Sequence, residues 1–381
     1  MLDSSRRNDT HAVRIAPCAD ASGGATGVHA SDPLALFARF PSLSMLGHVA
    51  LGAFPTPVEQ AGISSVRGAL WIKRDDLNAR RLADTDARCA GGNKLRALEF
   101  LLGRVSRGDT VIALGGDGST HVLATVALAR QLGARTVAIR WRHDMNDTAR
   151  RVDGLARELA DSVRSERGPI RALARGWLAA RRARGSSVVW RIPPGGASSL
   201  GMLGAVNAGL EFAEQVAGGK APAPAYVVLP LGTGGTAGGL ALGFAIAGLE
   251  TQVVGIRVVP RIVSNHRGVL RLANRCARFI ERTTGQEVPR VRRRGVRVLH
   301  RYFGGAYGRP LDAAREVRDV VERATGVILD ETYGAKACAA AVDLAQTTDA
   351  TVLYWLTFDA RSVGAPARAD HAATMRRGPD A

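Results

Sequence analysis

Short runs of β-branched and apolar residues alternate along this chain with longer stretches rich in Ala, Leu and Arg. The run 111–114, for example, precedes a stretch of helical periodicity over 120–132. Parallel strands need a long crossover connection, usually a helix, whereas a tight hairpin joins antiparallel strands. Strands that alternate with helices are therefore expected to pair in parallel. The alternation therefore predicts an α/β protein with parallel sheet. It continues in strands predicted over 136–141, 226–231, 253–259 and 352–356, and in helices over 148–163, 240–246 and 315–324.

The length and the cysteine content bound the class of fold. The 381 residues, 46% of them hydrophobic, are enough for two domains and a sizeable core. The four cysteines lie far apart, with no C-x-x-C pair and no histidine at metal-ligand spacing. Neither a disulfide framework nor a zinc site is therefore predicted, and we expect free thiols.

The chain is strongly basic, with a formal net charge of +18. Only four of its 52 basic residues are lysines, and the arginines are spread along helical stretches such as 171–184, which contains a single aromatic residue. This pattern favours solvated helix faces over a nucleic-acid groove, so no nucleic-acid partner is predicted. The sequence shows neither an apolar run long enough to cross a membrane nor a secretory signal, and we expect a cytoplasmic protein with no membrane partner.

A glycine-rich loop follows the strand predicted over 226–231 and precedes an apolar helix. Backbone N–H groups, threonine hydroxyls and the positive end of a helix together suit a phosphate group. The glycine spacing misses the dinucleotide fingerprint by one residue, and the loop lacks the Gly-Lys-Ser/Thr ending of a nucleotide P-loop. A small phosphorylated cofactor is therefore favoured over a structural turn or a nicotinamide site. The loop consists of Gly232, Thr233, Gly234, Gly235 and Thr236.

Lys94 stands at the start of a predicted helix, directly after two glycines and Asn93. An amine partly shielded from water near the positive end of a helix has a lowered pKa and suits Schiff-base chemistry with a carbonyl. A surface lysine on a first helical turn is the alternative, which the scarcity of lysine in this chain weakens. Of the remaining lysines, Lys73 is expected to form an ion pair, Lys336 to lie in the middle of a helix and Lys220 in a flexible connector.

Two further loops have the same glycine-rich composition. Ser119, Thr120 and His121 follow the glycines of a strand-loop-helix segment, and residues 192–201 read IPPGGASSLG. The N-terminus of a helix in such a segment suits a carboxylate as well as a phosphate. Four loops of this kind are more than the turns of one α/β chain require.

Taken in order, these motifs resemble those of the D-cysteine desulfhydrase and 1-aminocyclopropane-1-carboxylate deaminase family. The family contains pyridoxal-phosphate enzymes of fold type II, the fold that also includes the tryptophan synthase β chain. The resemblance covers about residues 40–360. It implies a two-domain α/β protein with parallel sheets, pyridoxal 5'-phosphate as cofactor and a small amino acid as substrate. The matching segments are KRDDL (73–77), GGNKLRALEFLL (91–102), GGDGSTH (115–121), IPPGGASSLG (192–201), GTGGTAGG (232–239), GGAYGRP (304–310) and LDETYGAKA (329–337).

The resemblance also implies roles for individual residues. Lys94 would be the Schiff-base lysine, and the segment from Ser119 to His121 would bind the substrate carboxylate and the ring oxygen of the cofactor. Two tyrosines would flank the substrate and take part in acid–base chemistry. The implied catalytic residues are Lys94, Ser119, Tyr307 and Tyr333; the implied substrate-binding residues are Ser119, Thr120 and His121; the implied cofactor-binding residues are Lys94, Asn93, Thr120, Gly232, Thr233, Gly234, Gly235, Thr236 and Thr357.

The chain departs from the family pattern at several positions. Thr120 replaces an asparagine, and Ala97 stands where many members have a lysine near the phosphate. Gly334 stands where the deaminases have a glutamate near the pyridine nitrogen. The closing strand is followed by the residues Thr-Phe-Asp (357–359), where the family usually has Thr-Gly-Gly. These departures concern the substrate, since the lysine and the phosphate loop are unchanged.

The resemblance implies β-elimination from D-cysteine or a similar β-substituted amino acid, giving pyruvate, ammonia and the leaving group. His121 resembles the desulfhydrases more than the deaminases. Deamination of 1-aminocyclopropane-1-carboxylate is the alternative, and it needs a different opening step because that substrate has no α-proton. A relative that binds cofactor or amino acid without catalysis is a further alternative, motivated by the departures at Thr120 and 357–359.

The resemblance implies a large cofactor-binding domain over 40–97 and 205–363 and a small domain over 98–204. The active site would lie in the cleft between them. Residues 1–39 are expected to form a disordered basic tail, and residues 364–381 a second tail. The family resemblance, and no residue in particular, implies a homodimer.

Overall fold

The computed structural model describes residues 34–63, 66–79, 82, 90–182, 188–305 and 308–364, except for the side chain of residue 182. Within these ranges ten strands form two sheets. The strands are β1 (Val58–Gln60), β2 (Leu70–Arg74), β3 (Thr110–Gly116), β4 (Arg135–Trp141), β5 (Ser162–Glu166), β6 (Val189–Ile192), β7 (Tyr226–Leu231), β8 (Gln252–Arg257), β9 (Val296–Leu299) and β10 (Val352–Leu356). The helices are α1 (Ala35–Arg39), α2 (Asn93–Leu101), α3 (Thr120–Gln131), α4 (Asp147–Leu159), α5 (Pro169–Arg182), α6 (Ser199–Ala217), α7 (Gly235–Ala247), α8 (His266–Thr284), α9 (Asp312–Thr325) and α10 (Gly334–Thr347).

Both sheets are built mainly from parallel strands, which confirms the predicted α/β class. The larger sheet has the order β1-β2-β10-β7-β8-β9; its β1–β2 pair is antiparallel and its other pairs are parallel. The smaller sheet has the order β5-β4-β3-β6 and is parallel throughout. Because sequence-distant strands such as β2 and β10 are neighbours, their carboxyl ends bring together loops from opposite ends of the chain.

The larger sheet is covered on both faces, and its central strands are accordingly apolar along most of their length. Helices α1, α6, α7 and α8 pack on one face, and α9 and α10 on the other. A Cβ added at Gly243 on α7 would lie 2.5 Å from the carbonyl oxygen of Val206 on α6, so glycine lets these two helices approach closely. This contact fixes the position of α7, which begins directly beyond β7. No helix in the described ranges combines the length and the apolarity needed to cross a membrane.

The prediction of a disordered N-terminal tail is wrong for residues 34–39. Leu36 in α1 is fully buried, and its N–H donates to the side-chain oxygen of Asn207 at 3.0 Å. Burial of Leu36 and Phe40 against the larger sheet's core offsets the entropy lost when this segment is ordered. Gly364, the first residue of the second predicted tail, accepts from the Arg151 side chain at 2.7 Å. The rest of the two predicted tails, 1–33 and 365–381, lies outside the described residues.

Two further expectations need correction. The helix predicted over 148–163 ends at Leu159, and β5 follows at Ser162. This strand reads SVRSE and lies at an edge of the smaller sheet with its side chains half-buried or exposed, so it lacks the apolar periodicity by which strands are recognised. Lys336 is the third residue of α10 and does not lie in the middle of the helix.

A network of buried charges joins β2, α2, α6 and β10. Arg96 on α2 donates hydrogen bonds of 2.8–3.1 Å to both oxygens of Asp75 and both oxygens of Glu211. Lys73 on β2 donates to Glu211 on α6 at 2.6 Å, which confirms that Lys73 forms an ion pair. Trp355 on β10 donates its indole N–H to Asp75 at 2.8 Å. Each buried carboxylate therefore faces a cation, which offsets the cost of removing these charges from water.

Replacing Glu211 with Gln should destabilise the protein strongly. Burial alone would raise the pKa of Glu211, but Arg96 and Lys73 lower it to about 2, so Glu211 is charged at neutral pH. The neutral amide of glutamine therefore leaves the two buried cations with one counter-charge fewer. We expect the free energy of unfolding to fall by about 3–5 kcal/mol, measured by urea denaturation followed by circular dichroism. The control, Asp349→Asn, removes the exposed pair with Arg67 and should cost less than about 1 kcal/mol. Equally small losses in both variants would contradict this role of the network.

Candidate active site

A cavity of about 380 Å³ lies where the carboxyl ends of strands from both sheets meet. The larger sheet contributes the segments that follow β7, β8 and β10, and the smaller sheet those that follow β3, β4 and β6. Open parallel sheets bind ligands at this edge, in the crevice beyond the strand ends. All of the predicted site residues that the structure describes line this cavity: Asn93, Lys94, Ser119, Thr120, His121, Gly232, Thr233, Gly234, Gly235, Thr236, Tyr333 and Thr357.

The loop that presents Lys94 is fixed by its backbone. Gly92 has a φ of 121°, and a Cβ there would lie 2.2 Å from the carbonyl oxygen of Thr357, so this position requires glycine. The amide side chain of Asn78 accepts from the N–H of Gly92 and donates to its carbonyl, both at 2.9 Å. The N–H of Asn93 donates to the carbonyl of Thr357 at 3.0 Å. Lys94, the second residue of α2, is thereby held against the end of β10.

The amine of Lys94 is shielded from water within this cavity. Burial lowers the pKa of Lys94 to about 8. A large fraction of the amine is therefore neutral slightly above physiological pH, and the neutral form is the nucleophile toward a carbonyl. The alternative reading of Lys94 as an ordinary surface lysine does not hold.

The glycine-rich loop after β7 forms another wall of the cavity. Gly234 has a φ of 93°, and α7 begins at the next residue. The side-chain N–H of Asn93 donates to the hydroxyl of Thr236 at 2.7 Å, which ties the Lys94 loop to the first turn of α7. Thr233 contacts the loop after β6, where a Cβ on Gly195 would lie 2.5 Å from the Thr233 hydroxyl. Three sequence-distant loops are thus locked together around one space.

The start of α3 forms a third wall. Ser119 is the N-cap of α3, and its hydroxyl accepts from the N–H of Val122 at 3.4 Å. Thr120 and His121 are the first two residues of the helix, and both line the cavity. Unpaired N–H groups and the positive end of the helix dipole make such a first turn suitable for an anion.

His121 is buried and neutral. Its Nε2 lies 3.0 Å from the carbonyl oxygen of Pro193. Burial and the neighbouring charge of Lys94 lower the pKa of His121 to about 3. The imidazole therefore brings no positive charge to the cavity at any pH at which the protein is expected to work.

The two remaining predicted groups come from the larger sheet. Tyr333 precedes α10, and its N–H donates to the carboxylate of Asp330 at 2.8 Å. Thr357 follows β10 and is buried. Tyr307 lies outside the described residues.

Several residues that line the cavity were not predicted from the sequence. Trp141, His143 and Phe358 line the space together with Val259 and Pro260. Each lies at or just beyond the carboxyl end of β4, β8 or β10. Position at that edge of a parallel sheet is the signal that could have selected them, once the strand bounds were known.

A sequence model of a family described as pyridoxal-phosphate dependent enzyme matches residues 49–357. The chain belongs to this family. The expected cofactor is thereby confirmed, as is the coarser part of the resemblance, a pyridoxal-phosphate enzyme that acts on an amino acid.

Solved structures agree with this membership. The structure of an ACC deaminase homologue has 26% sequence identity with this chain and a TM-score of 0.69, over 85% of this chain and 94% of the other. Threonine deaminase isoform 2 from Solanum lycopersicum is 17% identical with a TM-score of 0.57, over 86% and 90% of the two chains. O-ureido-L-serine synthase is 15% identical with a TM-score of 0.54, over 87% and 98%. The last two similarities concern the fold, and together these findings confirm the predicted fold class.

The cavity fits pyridoxal phosphate at both ends of the cofactor, the aldehyde and the phosphate. The aldehyde would bind at the amine of Lys94, whose lowered pKa favours the neutral, nucleophilic form. The phosphate would accept hydrogen bonds from the first turn of α7, where the backbone N–H groups have no partners within the helix. A Cβ added at Gly232 would meet no atom within 4 Å, so the wall before this turn faces open space.

Gly195→Ala should weaken the binding of pyridoxal phosphate. The new Cβ would lie 2.5 Å from the Thr233 hydroxyl and must displace it. We expect a rise in the dissociation constant of about tenfold, since crowding of this kind costs about 1–3 kcal/mol and 1.4 kcal/mol corresponds to a factor of ten. Fluorescence titration of the apoenzyme with the cofactor measures it.

Gly219→Ala is the matched control. Gly219 has a φ of 69°, close to the 66° of Gly195, but a Cβ there meets no atom within 4 Å. This variant carries the same backbone strain without the contact and should bind the cofactor like wild type. Equal weakening in both variants would show that strain, and not displacement of Thr233, is responsible.

The rate at which the apoenzyme binds pyridoxal phosphate covalently should rise as the pH passes through about 8 and then level off. The neutral amine is the nucleophile, so its fraction grows up to the pKa of Lys94 and saturates above it, whereas an ordinary lysine titrates near 10.5. Stopped-flow absorbance gives the rates. The rate of Nα-acetyl-lysine, divided by the neutral fraction of its own amine at each pH, corrects for the titration of the cofactor itself. A corrected rate that keeps rising toward pH 10 would contradict the lowered pKa.

Proposed function

We propose that this enzyme is a lyase that eliminates the β-substituent of D-cysteine or a similar β-substituted amino acid, releasing pyruvate, ammonia and the leaving group. The observation that carries the proposal is the convergence of Lys94 with Ser119, Thr120 and His121 on one cavity. An amine suited to a carbonyl lies there beside a helix start suited to a carboxylate. The histidine in this segment supports a desulfhydrase-like activity.

Lys94 is the proposed base. When bound, pyridoxal phosphate supplies an electron sink for the carbanion formed at the α-carbon. Lys94 accepts the α-proton, and a pKa of about 8 lets it take up and release a proton near neutral pH. Ser119 and Thr120, with the first turn of α3, hold the substrate carboxylate and the ring oxygen of the cofactor, which keeps the α-proton within reach of the amine.

The remaining cavity residues hold the cofactor and assist proton transfer. The 232–236 loop and the start of α7 hold the phosphate, with Asn93 orienting the Thr236 hydroxyl. Thr357 would be the neutral partner of the pyridine nitrogen. Tyr333, and by the resemblance Tyr307, would serve as acid–base groups.

Deamination of 1-aminocyclopropane-1-carboxylate is the second candidate. The 26% identity with an ACC deaminase homologue favours it. Gly334 argues against it, because the resemblance places a glutamate of the deaminases at this position. A Cβ at Gly334 would lie 3.0 Å from a carboxylate oxygen of Asp330, which already accepts from the backbone N–H groups of 332–334. An acidic side chain at 334 would crowd this carboxylate, and we therefore place β-elimination first.

We further propose that the two sheets belong to separate domains and that the enzyme is a cytoplasmic homodimer. The strands of the larger sheet fall within 40–97 and 205–363, and those of the smaller sheet within 98–204. This division supports the expected domain boundaries. Sedimentation velocity of the purified protein tests the dimer.

The decisive measurement is the visible absorption spectrum of the protein with pyridoxal phosphate, before and after addition of D-cysteine. We expect a lysine-dependent band in wild type, its change on addition of substrate, and release of sulfide and pyruvate in equal amounts. Lys94→Ala should lose the band and reduce turnover by at least about a hundredfold. Lys220→Ala, which changes an exposed lysine outside the cavity, is the control and should behave as wild type.

The outcomes separate the candidates. Production of 2-oxobutanoate and ammonia from 1-aminocyclopropane-1-carboxylate, with no sulfide from D- or L-cysteine, would select the deaminase. A band that no amino acid changes would reject both activities and favour a binding protein. Unaltered turnover in Lys94→Ala would overturn the assignment of the base.

A further inference from the structure

The indole ring of Trp141 lies across the end of β3 at the cavity wall. Trp141 on β4 is in register with Gly116 on β3, so side chains at these two positions point to the same face of the smaller sheet. Glycine leaves this face of β3 bare, and a Cβ at Gly116 would lie 3.2 Å from the indole Nε1 of Trp141. Both residues line the cavity. The indole N–H is therefore placed beside a part of the backbone that borders the cavity.

This indole N–H is a donor without an acceptor. An indole nitrogen donates hydrogen bonds and does not accept them. No atom of the described residues accepts from the Trp141 N–H, and this nitrogen is not among the buried polar atoms that lack a partner, so it is open to the cavity. The indole N–H groups of Trp190 and Trp355, by contrast, donate to Asp109 and Asp75, each at 2.8 Å. A ligand in the cavity can supply the acceptor that Trp141 lacks.

Trp141 lies on the other side of β3 from α3. A Cβ at Gly115 would lie 2.5 Å from the side chain of Val122 on α3, whereas a Cβ at Gly116 would meet Trp141. Consecutive residues of a strand point to opposite faces of the sheet, so α3 and the indole ring approach the cavity from opposite faces. A carboxylate at the start of α3 and a group at the indole N–H are thus bound on different sides of the cavity.

We infer that the indole N–H of Trp141 donates a hydrogen bond to the departing atom of the β-substituent, which is sulfur in D-cysteine. This inference rests on the proposed function and adds a residue to the same site. The proposed function assigns the α-proton to Lys94 and the carboxylate to the start of α3. The side chain is the substituent that remains, and the wall formed by Trp141 is available to it.

The contact stabilises the charge that develops when the bond from the β-carbon to sulfur breaks. Lys94 accepts the α-proton, and the electron pair of that C–H bond forms the double bond between the α- and β-carbons. The electron pair of the C–S bond leaves with sulfur as HS⁻. A neutral N–H that is already in place stabilises this negative charge without giving up its proton. Trp141 would therefore act on the departure of the leaving group.

Trp141→Phe keeps an aromatic ring and removes the N–H. We expect kcat for sulfide release from D-cysteine to fall at least about tenfold, because a hydrogen bond to a charged group is lost in the transition state. Pyruvate formation from β-chloro-D-alanine should fall less than about twofold, since chloride leaves readily and gains little from the contact. Trp141→His, whose ring keeps an N–H, should recover part of the rate with D-cysteine.

Trp177→Phe is the matched control. It makes the same change at a tryptophan that is 50% exposed and does not line the cavity, and it should react like wild type with both substrates. Equal losses with both substrates in Trp141→Phe would show that the ring acts only through the shape of the cavity and would overturn the inference. An unchanged rate with D-cysteine would overturn it as well, with the proposed function intact. A wild-type enzyme that forms pyruvate from neither substrate would overturn the proposed function, and the inference with it.

The contact is also tested in the wild-type holoenzyme by ¹H–¹⁵N NMR of the tryptophan indole groups, with Trp141 assigned from the spectrum of either variant. D-serine carries an acceptor on the β-carbon and hydroxide leaves poorly, so it should move the Trp141 signal downfield. D-2-aminobutyrate has the same number of heavy atoms and no acceptor there, and it should leave the signal in place. The same shift with both ligands, or with neither, would overturn the inference without touching the proposed function.

Discussion

The bonds of Arg96 hold the active site together. Arg96 is two residues beyond Lys94 on α2, and its guanidinium is shared between Asp75, just after β2, and Glu211 on α6. Asp75 in turn accepts from Trp355 on β10, the strand whose end carries the loop against which Lys94 is placed. These charge-assisted bonds are buried, so a shift of α2 relative to the larger sheet would leave charges unpaired in a dry environment. The position of the Lys94 amine therefore depends on buried ion pairs that lie outside the cavity.

The cavity itself is poor in charge, although the chain is rich in arginine. Among the described residues that line it there is no arginine, aspartate or glutamate, and its histidine at position 121 is neutral. The anionic groups of cofactor and substrate are consequently left to backbone N–H groups at the starts of α7 and α3, which are fixed in space and carry no mobile side-chain charge. In the proposed reaction, proton transfer is therefore assigned to Lys94 and the tyrosines.

Local patterns predicted the elements that carry this site, and long-range contacts decided the rest. The bounds of β7 and β10 and the glycine loops were readable because apolar runs and turn residues are local signals. The partner of Lys73 was not readable, since Glu211 lies on a helix far along the chain. The orientation of the His121 ring depends on the carbonyl of Pro193, and the order of residues 34–39 depends on Leu36 fitting a core assembled from later segments. Only the folded chain brings these groups together.

The departure from Thr-Gly-Gly after β10 shows which part of the site tolerates change. Thr357 keeps its carbonyl on the N–H of Asn93, so the loop of Lys94 is held by backbone atoms whatever side chains follow. Phe358 is buried and lines the cavity, and its backbone pairs with Gly92. The larger side chain therefore adds apolar surface to the substrate space and leaves the lysine in place.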